Sequence, residues 1–165
     1  MRPLILGGGP AAGKSTSAKA LAIERDRAAY IDADDIRQLV VAGDATLWSG
    51  TEGQQQHILA ARNVAAMARN FTHDGFDVTI ADYLTTASLA TYRHELPNCF
   101  IVHLQLSLAE ARQRAKTRRV YLTDDEFDLL HEMIAVPPKA DLILEVDHLT
   151  PEQQIRAIRT AWTSA

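Results

Sequence analysis

The sequence predicts an α/β fold of three layers, in which a five-stranded parallel sheet is covered by helices on both faces. Three observations predict it. Short apolar runs alternate with helical stripes from one end of the chain to the other. The first apolar run enters a glycine-rich turn that opens directly into a helix. Carboxylates then follow the second and third runs, at the positions where strands would end.

In chain order, residues 4–6 read as a short buried strand and 14–23 as the helix after the glycine-rich turn. Residues 29–31 form a second strand that runs into Asp32, Asp34 and Asp35. Ile36, Leu39 and Val40 resume helical spacing, with Asp35 expected as the N-cap. Residues 43–53 read as irregular. A long helix follows, with Ala60, Val64, Met67 and Phe71 as its apolar stripe. Asp74-Gly75 ends it, and 78–81 is a third strand closing on Asp82.

A helix over 88–96 leads past Pro97 to a fourth strand, 100–106. Ser107 with Glu110, and Thr123 with Glu126, have capping-box spacing at two further helix starts. Phe127, Leu130 and Ile134 stripe the second of these. After Pro137-Pro138 the last strand is 142–146, and Thr150 with Pro151 opens a final helix whose Ile155, Ile158 and Trp162 face inward. No internal repeat, low-complexity tract or linker interrupts the pattern, so 1–165 is expected to be one domain.

Bulk properties exclude several classes. Seventeen Lys and Arg against 21 Asp and Glu give a net charge of −4, which argues against nonspecific binding of long nucleic acid, since that requires neutralising many phosphates. The single Cys99 provides no internal disulfide and no cysteine-rich zinc site. The six histidines lack metal-ligand spacing. No apolar run approaches the ~20 residues that span a bilayer. A cytoplasmic protein without a removable leader is expected.

The glycine-rich turn carries the most specific chemistry. Gly8, Gly13, Lys14 and Ser15 occupy the fixed positions of G-x-x-x-x-G-K-[ST], between a strand and a helix as that motif requires. Such a loop turns its backbone N–H groups toward a polyphosphate, its lysine reaches the β- and γ-phosphates, and its hydroxyl is left for Mg²⁺. The dipole of the following helix adds to the attraction. Gly8, Gly9, Pro10, Ala11, Ala12, Gly13, Lys14, Ser15 and Thr16 are the candidate contacts to ATP.

Right-handed crossovers put every strand C-terminus on one edge, so this loop, the acidic cluster and Asp82 should converge there. Asp82 is a candidate Mg²⁺ ligand, directly or through water, beside Ser15; its alternative role is to cap the following turn. Asp34 is the candidate base that orients an acceptor hydroxyl, and Asp32 supports the metal or its surroundings. Arg37 either contacts the acceptor or balances the aspartates. Arg112, Arg114, Arg118 and Arg119 share one helix and the turn after it. Arg114 and Arg118, four residues apart, suit charge neutralisation during phosphoryl transfer, against the alternative of a solvated basic face. Trp48 and the segment 54–57 stand where a loop lines an acceptor pocket or merely covers the surface.

With these features in order, the chain resembles the small P-loop kinases. That group includes shikimate and gluconate kinases, zeta toxins, the kinase half of polynucleotide kinase and chloramphenicol phosphotransferase. Asp32-x-Asp34-x-x-Arg37 is similar to the D-x-D-x-x-R segment of several members. The resemblance implies a P-loop NTPase fold, with Asp34 as acceptor-side carboxylate and Arg37 as acceptor contact. It also implies Arg114 and Arg118 as arginines of a short lid near 112–124, and an adenine-bordering segment from Asp147 onward. No insertion like the nucleoside-monophosphate-binding region of adenylate kinases is present, and the stretch around Trp48 matches no acceptor motif.

The expected activity is Mg²⁺-dependent transfer of the γ-phosphoryl group of ATP to a hydroxyl of a small molecule of sugar, nucleoside or antibiotic type. The competing expectations are an ATPase or switch module read by a protein partner, and a kinase of nucleic-acid 5′-hydroxyls. The acidic pI and the lack of a basic or aromatic stripe count against the second.

Overall fold

Five strands, β1 (Leu4–Gly8), β2 (Ala28–Asp32), β3 (Asp77–Ala81), β4 (Phe100–Gln105) and β5 (Leu142–Glu145), pair in parallel in the order β2-β3-β1-β4-β5. The computed structural model describes residues 1–116 and 122–165; Arg118 and Arg119 of the expected lid lie outside the described residues. The helices are α1 (Lys14–Ile23), α2 (Ala33–Arg37), α3 (Gly50–His73), α4 (Thr86–Glu95), α5 (Leu108–Ala115), α6 (Asp124–Met133) and α7 (Pro151–Thr163).

The side-chain period of two in β1 and β4 divides the apolar residues between two cores. Leu4, Leu6, Val102 and Leu104 pack against Ala18 and Leu21 of α1 and Ile158 and Trp162 of α7. Ile5, Ile80 and Ile101 face Ala61, Val64, Ala65 and Ala68 of α3 and Tyr92 of α4. Adjacent strands β1 and β3 thus send the chain to opposite faces, into α1 and α4. That divergence opens a crevice at their C-terminal ends, the usual ligand position in such sheets.

The face of α3 differs from the expected stripe. Ala60 and Val64 are buried, but Met67 is 37% exposed, and the buried face runs through His57, Ala61, Ala65 and Ala68 instead. Small side chains let this 24-residue helix lie close to the sheet, which leaves its larger residues on the flanks.

Three helix starts carry reciprocal capping boxes, Thr85 with Ser88, Thr123 with Glu126 and Thr150 with Gln153. Ser107 makes only half of one: it accepts from Glu110 N, while the Glu110 carboxylate takes Arg114 Nε at 3.1 Å. Asp32, not Asp35, caps α2, because its carboxylate accepts from Asp34 N at 3.1 Å and the helix begins three residues earlier than the Ile36 stripe suggests. Among the described residues no helix is long and apolar enough to cross a membrane.

Candidate functional site

The loop between β1 and α1 turns through positive φ at Gly8 (142°), Ala11 (63°) and Gly13 (85°). Gly8 permits a close approach, since a Cβ there would stand 2.6 Å from the Leu104 carbonyl oxygen. Gly13 is the N-cap of α1 and makes no side-chain cap, so the first-turn N–H groups are left to an anion. This is the form a polyphosphate cradle requires. Lys14 Nζ donates to the Gly9 carbonyl at 2.9 Å, folding back along the loop, and Ser15 and Thr16 are exposed.

Two buried side chains from distant elements fix the loop. Gln154 on α7, 3% exposed, donates through Nε2 to the Ala12 carbonyl at 3.1 Å and to Ser17 Oγ at 2.9 Å. His131 on α6 brings Nε2 within 3.1 Å of the Pro10 carbonyl. Burial pushes the His131 pKa down, so the ring is neutral near pH 7 and donates one hydrogen there. Tyr83, just past β3, donates to the Leu130 carbonyl at 2.6 Å. Together the two contacts tie α6 to both the phosphate loop and the β3 exit.

At the end of β2, the Tyr30 hydroxyl donates to Asp32 Oδ2 at 2.6 Å. Burial and this bond raise the Tyr30 pKa above its ordinary value, while a hydrogen bond with the Ser15 side chain opposes the rise. Asp32 serves α2 and Tyr30, whereas the Asp34 side chain is 74% exposed and stands 3.5 Å from Arg37 Nη1.

Asp82, just past β3, is buried. Its side chain is 1% exposed and both oxygens are engaged: Oδ1 accepts from Arg37 Nη1 at 3.0 Å and Nη2 at 2.5 Å, and Oδ2 accepts from the Tyr92 hydroxyl at 2.8 Å. A carboxylate this deep must be paired. Asp82 anchors Arg37. Among the described residues no group of three His, Cys, Asp or Glu is arranged to hold a metal.

Arg114 stands at the exit of β5. It donates to the Val146 and Asp147 carbonyls, securing α5 to the exit of β5. Arg112 pairs with Asp128 of α6. Asp147 accepts from Ser107 N at 2.7 Å and lines a cavity of about 600 Å³ between α6 and the ends of β4 and β5.

The larger cavity, about 1030 Å³, begins at Pro10, Lys14 and Ser15 and runs between Asp34 and Arg37 to a far wall that includes Trp48, Gln56 and His57. The sheet edge thus brings the phosphate loop, Asp34 and Arg37 to one space. Sequence reasoning missed Tyr30, Tyr92, His131 and Gln154. Of these only Gln154 left a signal, lying on the inward face of α7 with Ile158.

No protein-family model matches the chain, and no curated protein matches it by sequence. Solved structures do. A sugar kinase from Janibacter sp. HTCC2649, in its unliganded form, has a TM-score of 0.78 at 17% identity and covers 99% of this chain and 95% of its own. The shikimate kinase of Acinetobacter baumannii in complex with shikimate has a TM-score of 0.69 at 17% identity, covering 99% and 94%. The tunicamycin resistance protein of Deinococcus radiodurans has a TM-score of 0.71 at 11% identity, covering 98% and 96%. At these identities the likeness is one of fold: the chain has the three-layer α/β/α fold of P-loop kinases over its whole length.

Proposed function

We propose that this protein is an ATP-dependent small-molecule kinase. It moves the γ-phosphoryl group to an acceptor hydroxyl held in the large cavity beside Lys14, Ser15 and Asp34. The observation that carries the reading is that one continuous cavity joins a phosphate loop to an exposed carboxylate paired with an arginine. A nucleotide switch has no need of such an acceptor space.

The loop backbone and Lys14 bind the polyphosphate and offset its charge. Ser15 would hold Mg²⁺, which when bound neutralises charge on the β- and γ-oxygens. Asp34 orients the acceptor hydroxyl. The acceptor oxygen bonds to the γ-phosphorus as the bond from that phosphorus to its bridging oxygen breaks. ADP leaves with the electron pair, and the hydroxyl proton passes to the Asp34 carboxylate. Arg37, fixed by Asp82, steers Asp34 and borders the acceptor. Catalysis of this kind is mostly positioning and electrostatics. Arg118 is proposed to close on the phosphates, and Arg114 to order the segment from Asp147 beside the base.

The test is phosphorus NMR of ATP incubated with the protein and a panel of hydroxyl compounds. A new phosphate-ester resonance appearing with ADP supports the proposal. ADP with inorganic phosphate alone, whatever the acceptor, would refute it.

A further inference from the structure

The walls of the acceptor cavity carry a second reading, which rests on the proposal that the protein is a kinase. Among the described lining residues the cations are Lys14 and Arg37. Lys14 belongs to the phosphate loop, and Arg37 is committed to Asp82 and Asp34. The acidic groups of the lining are Asp34 and Asp44. Among the described residues a carboxylate or phosphate on the acceptor would meet no dedicated basic partner, and burying such an anion unpaired is costly. Much of the remaining surface is apolar, including Ile36, Leu47, Trp48, Leu59 and Leu130.

The far wall is prebuilt. Gln56 accepts from Ala45 N at 2.9 Å and donates to the Gly43 carbonyl at 2.8 Å, holding the loop that carries Trp48 against α3. The loop lies so close that a Cβ on Gly53 would be 1.8 Å from the Thr46 carbonyl oxygen. Trp48 is therefore presented on a fixed support.

His57 lies on the same wall. It is 3% exposed, and its Nε2 has no hydrogen-bond partner among the described residues. Its ring stands edge-on to the Tyr83 ring, with 6.3 Å between centroids, and His57 lines the cavity. Asp82, Arg37 and Asp34 are the charged groups that act on it, and burial keeps it neutral. A buried ring nitrogen without a partner, lining a binding cavity, asks for a hydrogen-bonding group from the ligand.

We infer that the acceptor is a neutral, amphipathic polyol or aryl alcohol. One hydroxyl is phosphorylated beside Asp34, an apolar face lies against the Trp48 wall, and a second hydroxyl hydrogen-bonds to His57 Nε2.

The test uses two arms of probes: neutral diols with a ring or aryl face, and hydroxy-carboxylates such as shikimate together with sugar phosphates. ADP release and the emission of Trp48 are followed for the wild type, with His57→Phe added for the best acceptor and for its analogue lacking the second hydroxyl. In the wild type, losing that hydroxyl should raise the acceptor KM by about 10- to 100-fold. His57→Phe should raise the acceptor KM of the intact diol by a similar factor, leave the nucleotide KM in place and abolish the difference between diol and analogue. If His57→Phe does not fold, the wild-type comparison of the two probes decides alone.

Anionic alcohols proving the better acceptors would overturn this inference while leaving the kinase standing. So would a neutral acceptor indifferent to its second hydroxyl. No ADP release with either arm, while ATP still binds, would overturn the kinase reading and this inference with it.

Discussion

Arg37 places both terminal nitrogens of its guanidinium on a single oxygen of Asp82, at 3.0 and 2.5 Å, beneath the cavity that Arg37 itself lines. The pair joins α2 to the end of β3 and sets the height of Arg37 against Asp34. Asp82 thus supports Arg37 from below.

Removing one member of such a pair leaves a buried charge without its partner. Arg37→Met is expected to cost about 3 kcal/mol. The double exchange Arg37→Met with Asp82→Leu should cost clearly less than the sum of the single ones. Urea denaturation of the four proteins measures this, and strictly additive losses would show that the two residues are not coupled.

Gln154 makes the phosphate loop depend on the last helix. Gln154→Ala leaves the buried Ala12 carbonyl and Ser17 hydroxyl without that donor, at an expected cost of about 2 kcal/mol. Because the loop it braces binds the nucleotide, the KM for ATP should rise by ~10-fold with little change in fold. Circular dichroism and nucleotide titration check this; an unchanged KM would mean that the loop holds its shape unaided.

Stability should fall in mild acid. Burial, with the charge of Lys14 as a second cause, pushes the His103 pKa down to about 4. Burial lowers His57 and His131 as well. These rings are neutral when folded, whereas in the unfolded chain they protonate at ~6.5. The unfolded state therefore binds more protons between these values, and stability drops as pH falls from about 6.5 to about 4. His103 alone accounts for on the order of 3 kcal/mol. Thermal unfolding from pH 8 to 4 should show the decline, and His103→Asn should flatten it; an unchanged slope in the variant would remove His103 from the explanation.

Asp34 is exposed and free to meet an acceptor, so Asp34→Asn tests its role without disturbing the core. Transfer should drop by ~10²- to 10⁴-fold, as for loss of a positioned base, while the affinity for ATP is kept. Full activity in Asp34→Asn would move the base elsewhere.

The fold was legible because local signals agreed: the alternation of apolar runs and helical stripes, the phosphate loop, and capping residues such as Thr123 and Thr150. The convergence of Gly8–Ser15, Asp34 and Arg37 followed from parallel topology alone. What was hidden depended on tertiary partners. That Asp82 pairs with Arg37 and Tyr92 depends on side chains from α2 and α4 that no local spacing reveals. Asp32 and Asp35 are equally good caps by type, and only the backbone of α2 chooses between them. Met67 has the right period but the wrong size for a helix packed through alanines. Arg114 has the right charge, yet it is held by carbonyls at the β5 exit that no spacing rule brings near.

The central claim is that the phosphate loop drives transfer to a hydroxyl acceptor. The most direct measurement is ADP release over a panel of hydroxyl compounds, run on the wild type and on Lys14→Ala. The wild type should be slow alone and stimulated by a hydroxyl compound, and Lys14→Ala should lose ~10²- to 10³-fold of that stimulated rate. A wild type that responds to no hydroxyl compound, or a Lys14→Ala protein that turns over as fast as the wild type, would contradict the account.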